Sequence, residues 1–575
     1  MPLRWGSTSS MQGMARIISA CLIVSMSLPV WGEGAADGAA GGSRGPSVRL
    51  PGPAFTALAT ISPEHIRWHV RYLSHDLLEG RGTGQRGGDL AAEYMATMFA
   101  EYGLKPAGDH GTYMQKVPLV GVTTSPETKF SLVPKRGETM SLRPLDEYVA
   151  YDETQQAESE IDSDIVFVGY GIKAPEYNWD DYKGMDVRGK VLLMLVNEPP
   201  SDDTKFFKGK ALTYYGRWTY KYEEALRQGA AGAILIHQTQ MASYPWEVVR
   251  NSNAGEKAYL KLNGSALKAA AWIQWDVAAR LVSASGMNLE KMVQSAQSRD
   301  FHPVSLGARL QAHLVSKIRN FESNNVLAIL PGSDRHAADE AVMYSAHYDH
   351  FGIRPEMPGD NIFNGAADNA TGCGILLELA RAFGTAAIRP RRSILFVALT
   401  AEEQGLLGSE YLGQHLPVSA GKISLDLNYD DVKPLGAPEQ VQVSGAERTT
   451  FYPFVEATAK EFRLAIRPDS RPEAGNFYRS DHFSLARVGI PSFSINEGMK
   501  FKGHAESWGI DQEREYVEKH YHQPSDEYHP EMDFVGDSAM ARFGFALGWS
   551  AASLPKLVTW QHGDEFEAVR VKSQQ

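Results

Sequence analysis

Residues 341–350 read AVMYSAHYDH, and residues 393–405 read SILFVALTAEEQG. Each stretch begins with an unbroken apolar run, which is typical of a strand buried on both faces, and ends in histidines or carboxylates. Between them, residues 371–383 place apolar side chains at helical spacing, at Ile375, Leu376, Leu379 and Phe383. A strand, a helix and a second strand in this order predict two parallel neighbours in an α/β sheet.

The same alternation continues on both sides of this core. Further apolar runs of strand length occupy residues 326–330, 423–427 and 491–495. We therefore expect an α/β fold with a doubly wound, mostly parallel sheet and helices on both faces. Cys373 falls in the predicted helix 371–383, where we expect it to pack as a small apolar side chain.

Polar side chains follow the predicted strands at the points where each strand ends. Open α/β sheets bind ligands at this edge, so we expect these side chains to meet. Two adjacent acids after a buried strand also need a compensating cation, which a metal supplies. Two histidines and three carboxylates suit a pair of Zn²⁺ ions, with one carboxylate left for proton transfer. The candidates are His347, Asp368, Glu402, Glu403, Asp426 and His522.

Composition limits the class of protein. A chain of 575 residues exceeds one ordinary domain, so we expect at least two. With 43% hydrophobic and 22% charged residues, it is typical of a globular protein. The formal charge of −12 argues against a nucleic-acid partner, which would require a basic face.

The first 32 residues have the pattern of a cleaved export signal. Arg4 and Arg16 precede an apolar run at 17–30, and Val30-Trp31-Gly32 is a plausible cleavage site. This pattern predicts a periplasmic or extracellular protein with no stable membrane span after cleavage; a retained anchor is the alternative. Cleavage would leave Cys373 without a second cysteine, so no intrachain disulfide is expected.

The rest of the chain divides by composition and pattern. Residues 33–53 are rich in Gly, Ala, Ser and Pro and predict a disordered leader. Residues 214–220 read YYGRWTY, and this aromatic cluster either packs between domains or forms a wall over the active site. The predicted parts are a signal peptide at 1–32, the leader at 33–53, the first part of a catalytic domain at 54–159, an inserted domain at 160–310, the main catalytic domain at 311–560 and a C-terminal tail at 561–575.

Together, these motifs resemble the M28 family of zinc peptidases. The resemblance includes HYDH at 347–350, GAADNATG at 365–372, AEEQG at 401–405 and YHQPSD at 521–526. LEGRG at 78–82 and FYRSDH at 477–482 are also similar to family motifs. VGYG at 168–171 and GAAGA at 229–233 resemble a protease-associated (PA) domain of mixed β-rich α/β type. The resemblance implies a zinc-exopeptidase fold for the catalytic domain.

The resemblance also implies a role for each candidate. One zinc would take His347 and Asp426, the other would take Glu403 and His522, and Asp368 would bridge both. Asp349 would orient His347, and Glu402 would act as the general base. Tyr521 and Arg479 would steady the oxyanion or the substrate. Asp430 and Asp431 stay open as alternatives to Asp426, and His520 as the alternative to His522; His350 and His482 have no assigned role.

The expected function is that of an exported two-zinc exopeptidase acting on peptides, most simply an aminopeptidase. A carboxypeptidase or dipeptidase of the same superfamily is the first alternative, because the ligand set does not separate them. A non-catalytic binding protein on this scaffold is the second. Mixed histidine and carboxylate sites also accept other divalent ions such as cobalt or manganese. Side-chain preference and oligomeric state stay open.

Overall fold

The computed structural model of the chain describes residues 50–355, 357–469 and 471–575. The predicted signal peptide at 1–32 lies outside the described residues, as does the predicted leader up to residue 49. The first helix, Gly52–Ala59, includes the last two residues of that predicted leader. None of the helices in the described part of the chain is both long enough and apolar enough to cross a membrane.

The helices are distributed along the whole described chain. The α-helices are Gly52–Ala59, Pro63–Leu73, Arg86–Glu101, Trp218–Arg227, Thr239–Ala242, Trp246–Ser252, Trp275–Ala284, Leu289–Ala296, Thr371–Thr385, Leu407–Gln414, Tyr452–Glu461, His482–Arg487, Trp508–Lys519, Val535–Ser553 and Glu567–Ser573. Short 3₁₀ turns are Asp76–Arg81, Asp109–Gly111, Pro175–Tyr177, Tyr214–Gly216, Ala420–Lys422, Ala446–Arg448, Pro472–Ala474 and Asn476–Tyr478, and a π turn spans Ala366–Ala370.

The strands form two main sheets and three small ones. They are Lys105–Pro106, Met114–Thr124, Lys129–Val133, Met140–Ser141, Tyr148–Tyr151, Glu158–Phe167, Lys173–Ala174, Trp179–Asp180, Val191–Leu195, Gly232–His237, Glu256–Leu260, Ala269–Gln274, Val304–Leu330, Ala341–His347, Gly352–Ile353, Ile362–Phe363, Ser393–Leu399, Ile423–Asn428, Gln440–Gln442, Ala465–Ile466, Ser492–Ser494 and Asn496–Glu497.

The first sheet confirms the predicted parallel core. Ala341–His347 pairs in parallel with Ser393–Leu399 on one side and with Ile423–Asn428 on the other. Ser492–Ser494 extends the parallel set beyond Ile423–Asn428. One face packs against Thr371–Thr385 and its neighbours, including the buried Cys373. The opposite face packs against Leu412 and Leu485 from two other helices, so helices cover both faces.

The second sheet lies in residues 129–315, which we call the second-sheet region. Gly232–His237 pairs in parallel with Val191–Leu195 and Ala269–Gln274, and Glu158–Phe167 continues the sheet. A separate apolar cluster covers each face of this sheet. The region therefore has cores of its own, formed by residues other than those of the first sheet's core.

One 27-residue strand, Val304–Leu330, joins the two sheets. Its first half pairs with Glu158–Phe167 in the second sheet, and its last residues pair with Ser393–Leu399 in the first. The strand passes without a break through the expected domain boundary at 310. Lys129–Val133, which falls in the segment 54–159 predicted as the first part of the catalytic domain, pairs with the second-sheet half of the long strand.

Candidate active site

The candidate ligands converge at the carboxyl edge of the first sheet. His347 is the last residue of Ala341–His347, and Glu403 follows Ser393–Leu399 by four positions. Asp368 lies in the π turn that precedes the helix Thr371–Thr385. His522 follows the helix Trp508–Lys519 and reaches the same edge from far along the chain. All four side chains are buried.

The two oxygens of Asp368 face two separate groups of side chains. Oδ1 lies 3.3 Å from His347 Nε2, which in turn lies 3.1 Å from Asp430 Oδ1. Oδ2 lies 3.4 Å from His522 Nε2, which is 3.3 Å from Glu403 Oε2. Asp368 therefore has the position of a carboxylate shared between two adjacent cation sites. We call them the His347 half-site and the His522 half-site.

Each half-site offers one imidazole nitrogen and carboxylate oxygens, which is a donor set that zinc accepts. Burial raises the pKa of Glu403 well above its ordinary value, and the neighbouring charges of Asp368 and Glu402 raise it further. Several buried acids close together are costly unless a cation compensates them. The residues present therefore fit a pair of bound divalent ions.

Asp426 does not take the position expected of it, and this prediction is corrected by the structure. Its residue lies inside the strand Ile423–Asn428, opposite Met343, and its Oδ1 accepts a hydrogen bond of 2.9 Å from the Ser345 hydroxyl. Asp430 stands beyond the end of that strand and takes the place beside His347. The four residue steps from Asp426 to Asp430 correspond to roughly 13 Å of extended chain, which is enough to separate the middle of the sheet from its edge.

Asp349 positions both His347 and Glu402. Its Oδ1 accepts from the backbone N–H of Glu402 at 3.1 Å, and its Oδ2 accepts from the Thr83 hydroxyl at 2.9 Å. The Nδ1 of His347 lies 3.2 Å from the Asp349 backbone carbonyl and 3.8 Å from its carboxylate. With Nδ1 donating to these oxygens, Nε2 is left free to bind a metal. The orienting role expected of Asp349 thus runs through both its carbonyl and its carboxylate.

Glu402 faces the site from beside the ligands. Its Oε2 lies 4.0 Å from His347 Nε2, and its side chain lines the cavity that opens onto both half-sites. Burial raises the pKa of Glu402 well above its ordinary value. A carboxylate with a raised pKa, held next to a metal site and open to a cavity, is suited to carry a proton during a reaction.

Three supporting residues had no role assigned from the sequence. His350 Nδ1 lies 2.5 Å from Glu403 Oε1, and burial lowers the pKa of His350 well below its ordinary value. The neutral imidazole therefore donates to Glu403 and orients it. Asp526 accepts hydrogen bonds from the backbone N–H groups of Ala367 and Asp368, both at 3.0 Å. It holds the turn that presents the shared carboxylate.

Arg81 is the third, and it is fully buried. Its guanidinium donates to four backbone carbonyls, those of Leu73, Tyr348, Asn364 and Gly365. Each buried carbonyl left without a donor costs about 1–3 kcal/mol, so this side chain secures the loops on both sides of the site. The signal was present in the sequence, because Arg81 belongs to the LEGRG motif and Asp526 to YHQPSD.

The second-sheet region contributes directly to the His522 half-site. The hydroxyl of Ser252 lies 2.9 Å from His522 Nδ1, and Asn251 Nδ2 donates to the His522 carbonyl at 3.1 Å. Both residues belong to the helix Trp246–Ser252. When Nδ1 donates to Ser252, Nε2 faces Asp368 and Glu403. No pattern around Ser252 in the sequence indicated this contact.

His520 and His482 are not among the closest groups of either half-site. His520 Nδ1 lies 3.0 Å from the Ser525 carbonyl, so it caps a local turn and leaves the half-site to His522. His482 is buried and borders the cavity near Asp430, with Nδ1 3.5 Å from Asn428 Nδ2. Burial lowers the pKa of His482 to about 4, so it is neutral.

Tyr521 and Arg479 line the cavity in front of the His522 half-site. The ring of Tyr521 stacks on His522 with 3.8 Å between ring centres, and Arg479 Nη2 donates to its hydroxyl at 3.4 Å. From the aromatic stretch 214–220, Arg217 and Trp218 reach the same cavity, while Tyr214 packs on Phe483 of the helix His482–Arg487. The stretch therefore both packs against a neighbouring helix and forms part of the cavity wall.

Comparisons with known proteins find similar sequences and a similar solved structure. Residues 325–541 match the family model described as Peptidase family M28. The chain is 27% identical over 249 residues to Leupeptin-inactivating enzyme 1 of Streptomyces exfoliatus, covering 42% of this chain and 51% of that protein. It is 29% identical over 210 residues to Aminopeptidase YwaD of Bacillus subtilis, covering 36% and 40%. The chain spans about half the length of these curated relatives, or less.

A solved structure has the same fold across most of the chain. The aminopeptidase from Aneurinibacillus sp. strain AM-1 superimposes with a TM-score of 0.51 at 18% sequence identity. The match covers 89% of this chain and 98% of that one. The structural similarity therefore extends over most of the described chain, including most of the second-sheet region.

Proposed function

We propose that this chain is an exported exopeptidase that holds two zinc ions and releases N-terminal residues from peptides, because residues 325–541 match the family model described as Peptidase family M28. The observation that carries the proposal is the position of Asp368, whose two carboxylate oxygens face His347 and His522 separately. Export rests on the sequence pattern of residues 1–32.

Five side chains would hold the metals. His347 and Asp430 would bind one ion, Glu403 and His522 the other, and Asp368 would bind both. When bound, zinc polarises the scissile carbonyl and makes water more acidic. Cobalt or manganese would suit the same donors.

The remaining chemistry belongs to the side chains around the metals. Glu402 accepts a proton from the attacking water at a carboxylate oxygen and delivers it to the nitrogen of the leaving amine. Asp349 holds Glu402 in place through the backbone N–H of that residue. Tyr521 offers its hydroxyl to the oxygen of the tetrahedral intermediate, and Arg479 fixes the direction of that hydroxyl.

The buried carboxylate of Glu402 in the cavity favours a catalytic role over a binding role. Glu402 lines the cavity beside the half-sites without being one of their closest ligands. A protein that only binds a partner gains nothing from a buried carboxylate in that position, since it costs free energy to desolvate.

Hydrolysis of matched peptides tests the proposal. The substrates are peptides with a free amino terminus and their N-acetylated twins, incubated with zinc-loaded protein. An aminopeptidase cleaves the free-amine members only. Cleavage of both sets would favour a carboxypeptidase or dipeptidase of the same superfamily. If neither set is cleaved while two zinc ions stay bound, the proposed reaction is wrong although the metal site stands.

A further inference from the structure

Two arginines from different parts of the chain meet in the cavity beside the zinc site. Arg217 precedes the helix Trp218–Arg227 in the second-sheet region, and Arg479 follows the turn Asn476–Tyr478. Both line the cavity that also exposes Glu402, Glu403 and His522. A substrate whose scissile bond lies at the half-sites therefore comes within reach of both guanidinium groups.

Neither guanidinium has a carboxylate partner among the described residues. Arg479 Nη2 contacts the neutral hydroxyl of Tyr521, and its guanidinium carbon lies 5.4 Å from the ring centre of Tyr244. The Nε of Arg217 is buried and has no hydrogen-bond partner in the described part of the chain. Within the described residues, the two guanidinium groups therefore have tyrosine neighbours and form no direct ion pair with a carboxylate.

Asp431 and Glu513, the acids whose charges act on Arg479, are already paired with other cations. Lys433 Nζ lies 2.9 Å from Asp431 Oδ2 and 2.9 Å from Glu513 Oε2. Arg471 Nη2 lies 2.6 Å from Glu513 Oε1. These four residues line the neighbouring cavity, which Arg479 also borders, and they do not form an ion pair with either Arg217 or Arg479.

The charge on Arg217 is costly in the absence of an anion. Burial lowers the pKa of Arg217 to about 10, and the charge of Arg479 is the next cause of the shift. A ligand of opposite sign between the two guanidinium groups would offset this cost at Arg217. A guanidinium also matches the planar geometry of a carboxylate better than that of any other group in a peptide.

We propose that Arg217 and Arg479 form a subsite for a carboxylate of the substrate, next to the zinc site. The inference rests on the proposed peptidase function and deepens it by naming the substrate class, namely peptides that carry a negative charge close to the scissile bond. Two sources offer that carboxylate: the free C-terminus of a very short peptide, or an Asp or Glu side chain.

Matched substrate pairs separate the two sources. The dipeptide Leu-Leu and its C-terminal amide differ only in the terminal carboxylate. Leu-Asp-amide with Leu-Asn-amide, and Asp-Leu-amide with Asn-Leu-amide, differ only in a side-chain carboxylate. With the zinc-loaded full chain, the charged member of at least one pair is expected to show a kcat/KM about 10-fold or more above its neutral twin, because a site built for a polar group rejects the analogue that lacks it. The pair that shows the preference identifies the source.

Arg217→Met tests whether the guanidinium causes the preference. The ratio of kcat/KM between charged and neutral twins should fall towards one, and Arg217→Lys should restore part of it. Arg188→Met is the matched control, because Arg188 is an exposed arginine of the same region paired with Asp186. Its ratio should equal that of the wild type. Thermal melting of each variant verifies that it is folded.

The outcomes separate this inference from the proposed function. If the wild type cleaves neutral and charged twins equally well, the carboxylate subsite is wrong while the peptidase function stands. If no pair is cleaved, calorimetric titration of the same pairs into zinc-loaded Glu402→Gln protein decides. Tighter binding of a charged twin, lost in Glu402→Gln/Arg217→Met, supports the subsite, and equal affinity for both twins overturns it.

Discussion

The two half-sites differ in what holds their histidine. His347 ends a strand of the first sheet, and its Nδ1 faces Asp349, two residues further along the chain. His522 lies in a loop, and its Nδ1 faces Ser252, 270 residues away in the second-sheet region. The first half-site is therefore organised by its own strand, whereas the second depends on packing between distant segments.

This difference has a functional consequence. Residues that orient a metal ligand affect affinity almost as directly as the ligand itself. If two zinc ions bind as proposed, the second-sheet region would therefore influence the His522 half-site through Ser252. The same region also provides Arg217 to the cavity, so in the proposed enzyme metal binding and substrate binding would both depend on how this region packs.

Replacing the shared carboxylate should affect both half-sites and have the largest effect. Asp368→Ala removes the oxygens that face His347 and His522, so we expect zinc content to fall at both positions. The kcat/KM should drop by about 10⁴-fold or more, as when a unit of the catalytic machinery is lost. Elemental analysis and peptide hydrolysis measure the two effects. Retention of two tightly bound zinc ions would contradict the bridging position.

Replacing the proton carrier should separate chemistry from metal binding. Glu402→Gln should keep two zinc ions and lose about 10²–10⁴-fold in kcat, which is the usual contribution of a general base. Glu410→Gln, at an exposed residue of the following helix, is the control. Near wild-type turnover of the Glu402→Gln protein would exclude Glu402 as the base.

Asp430 and Asp426 offer a matched test within the His347 half-site. Asp430→Asn should weaken zinc at this half-site by more than the roughly 10–100-fold typical of orienting residues, because it alters a direct ligand. Asp426→Asn should leave zinc affinity unchanged, since Asp426 hydrogen-bonds to Ser345 inside the sheet. Zinc titration with a competing chelator gives both affinities. The reverse result would restore Asp426 as the ligand.

Ser252→Ala should have the smallest effect of these substitutions, and it tests directly whether the two half-sites differ. Loss of the hydroxyl frees His522 Nδ1, so zinc affinity should fall by about 10–100-fold at one position and stay unchanged at the other. Ser283→Ala, at an exposed serine of the helix Trp275–Ala284, controls for serine loss in the same region. If zinc affinity falls equally at both positions, or stays unchanged at both, the proposed difference between the half-sites is wrong.

Much of the site could be predicted from short stretches of sequence. An apolar strand of five to seven residues followed by a polar residue identifies an edge position, which is how His347 and Glu403 were found. Asp368 was recognisable from the glycine-flanked turn before a helix. The error at Asp426 arose because the strand continues to Asn428, so the residue beyond its end is Asp430. The apolar pattern of ISLDLNYDD does not show where pairing stops.

Local sequence thus encodes the strands, the turn that presents Asp368 and the chemical types of the ligands, because each depends on neighbours a few residues away. The contact of Ser252 with His522 and the meeting of Arg217 with Arg479 depend on how two sheets are joined by the continuous strand Val304–Leu330. Contacts between residues hundreds of positions apart arise from the packing of whole elements, which no short stretch specifies. For this reason the chemical types of the site residues could be read from the sequence, whereas the contact of Ser252 with His522 and the meeting of Arg217 with Arg479 emerged only from the folded chain.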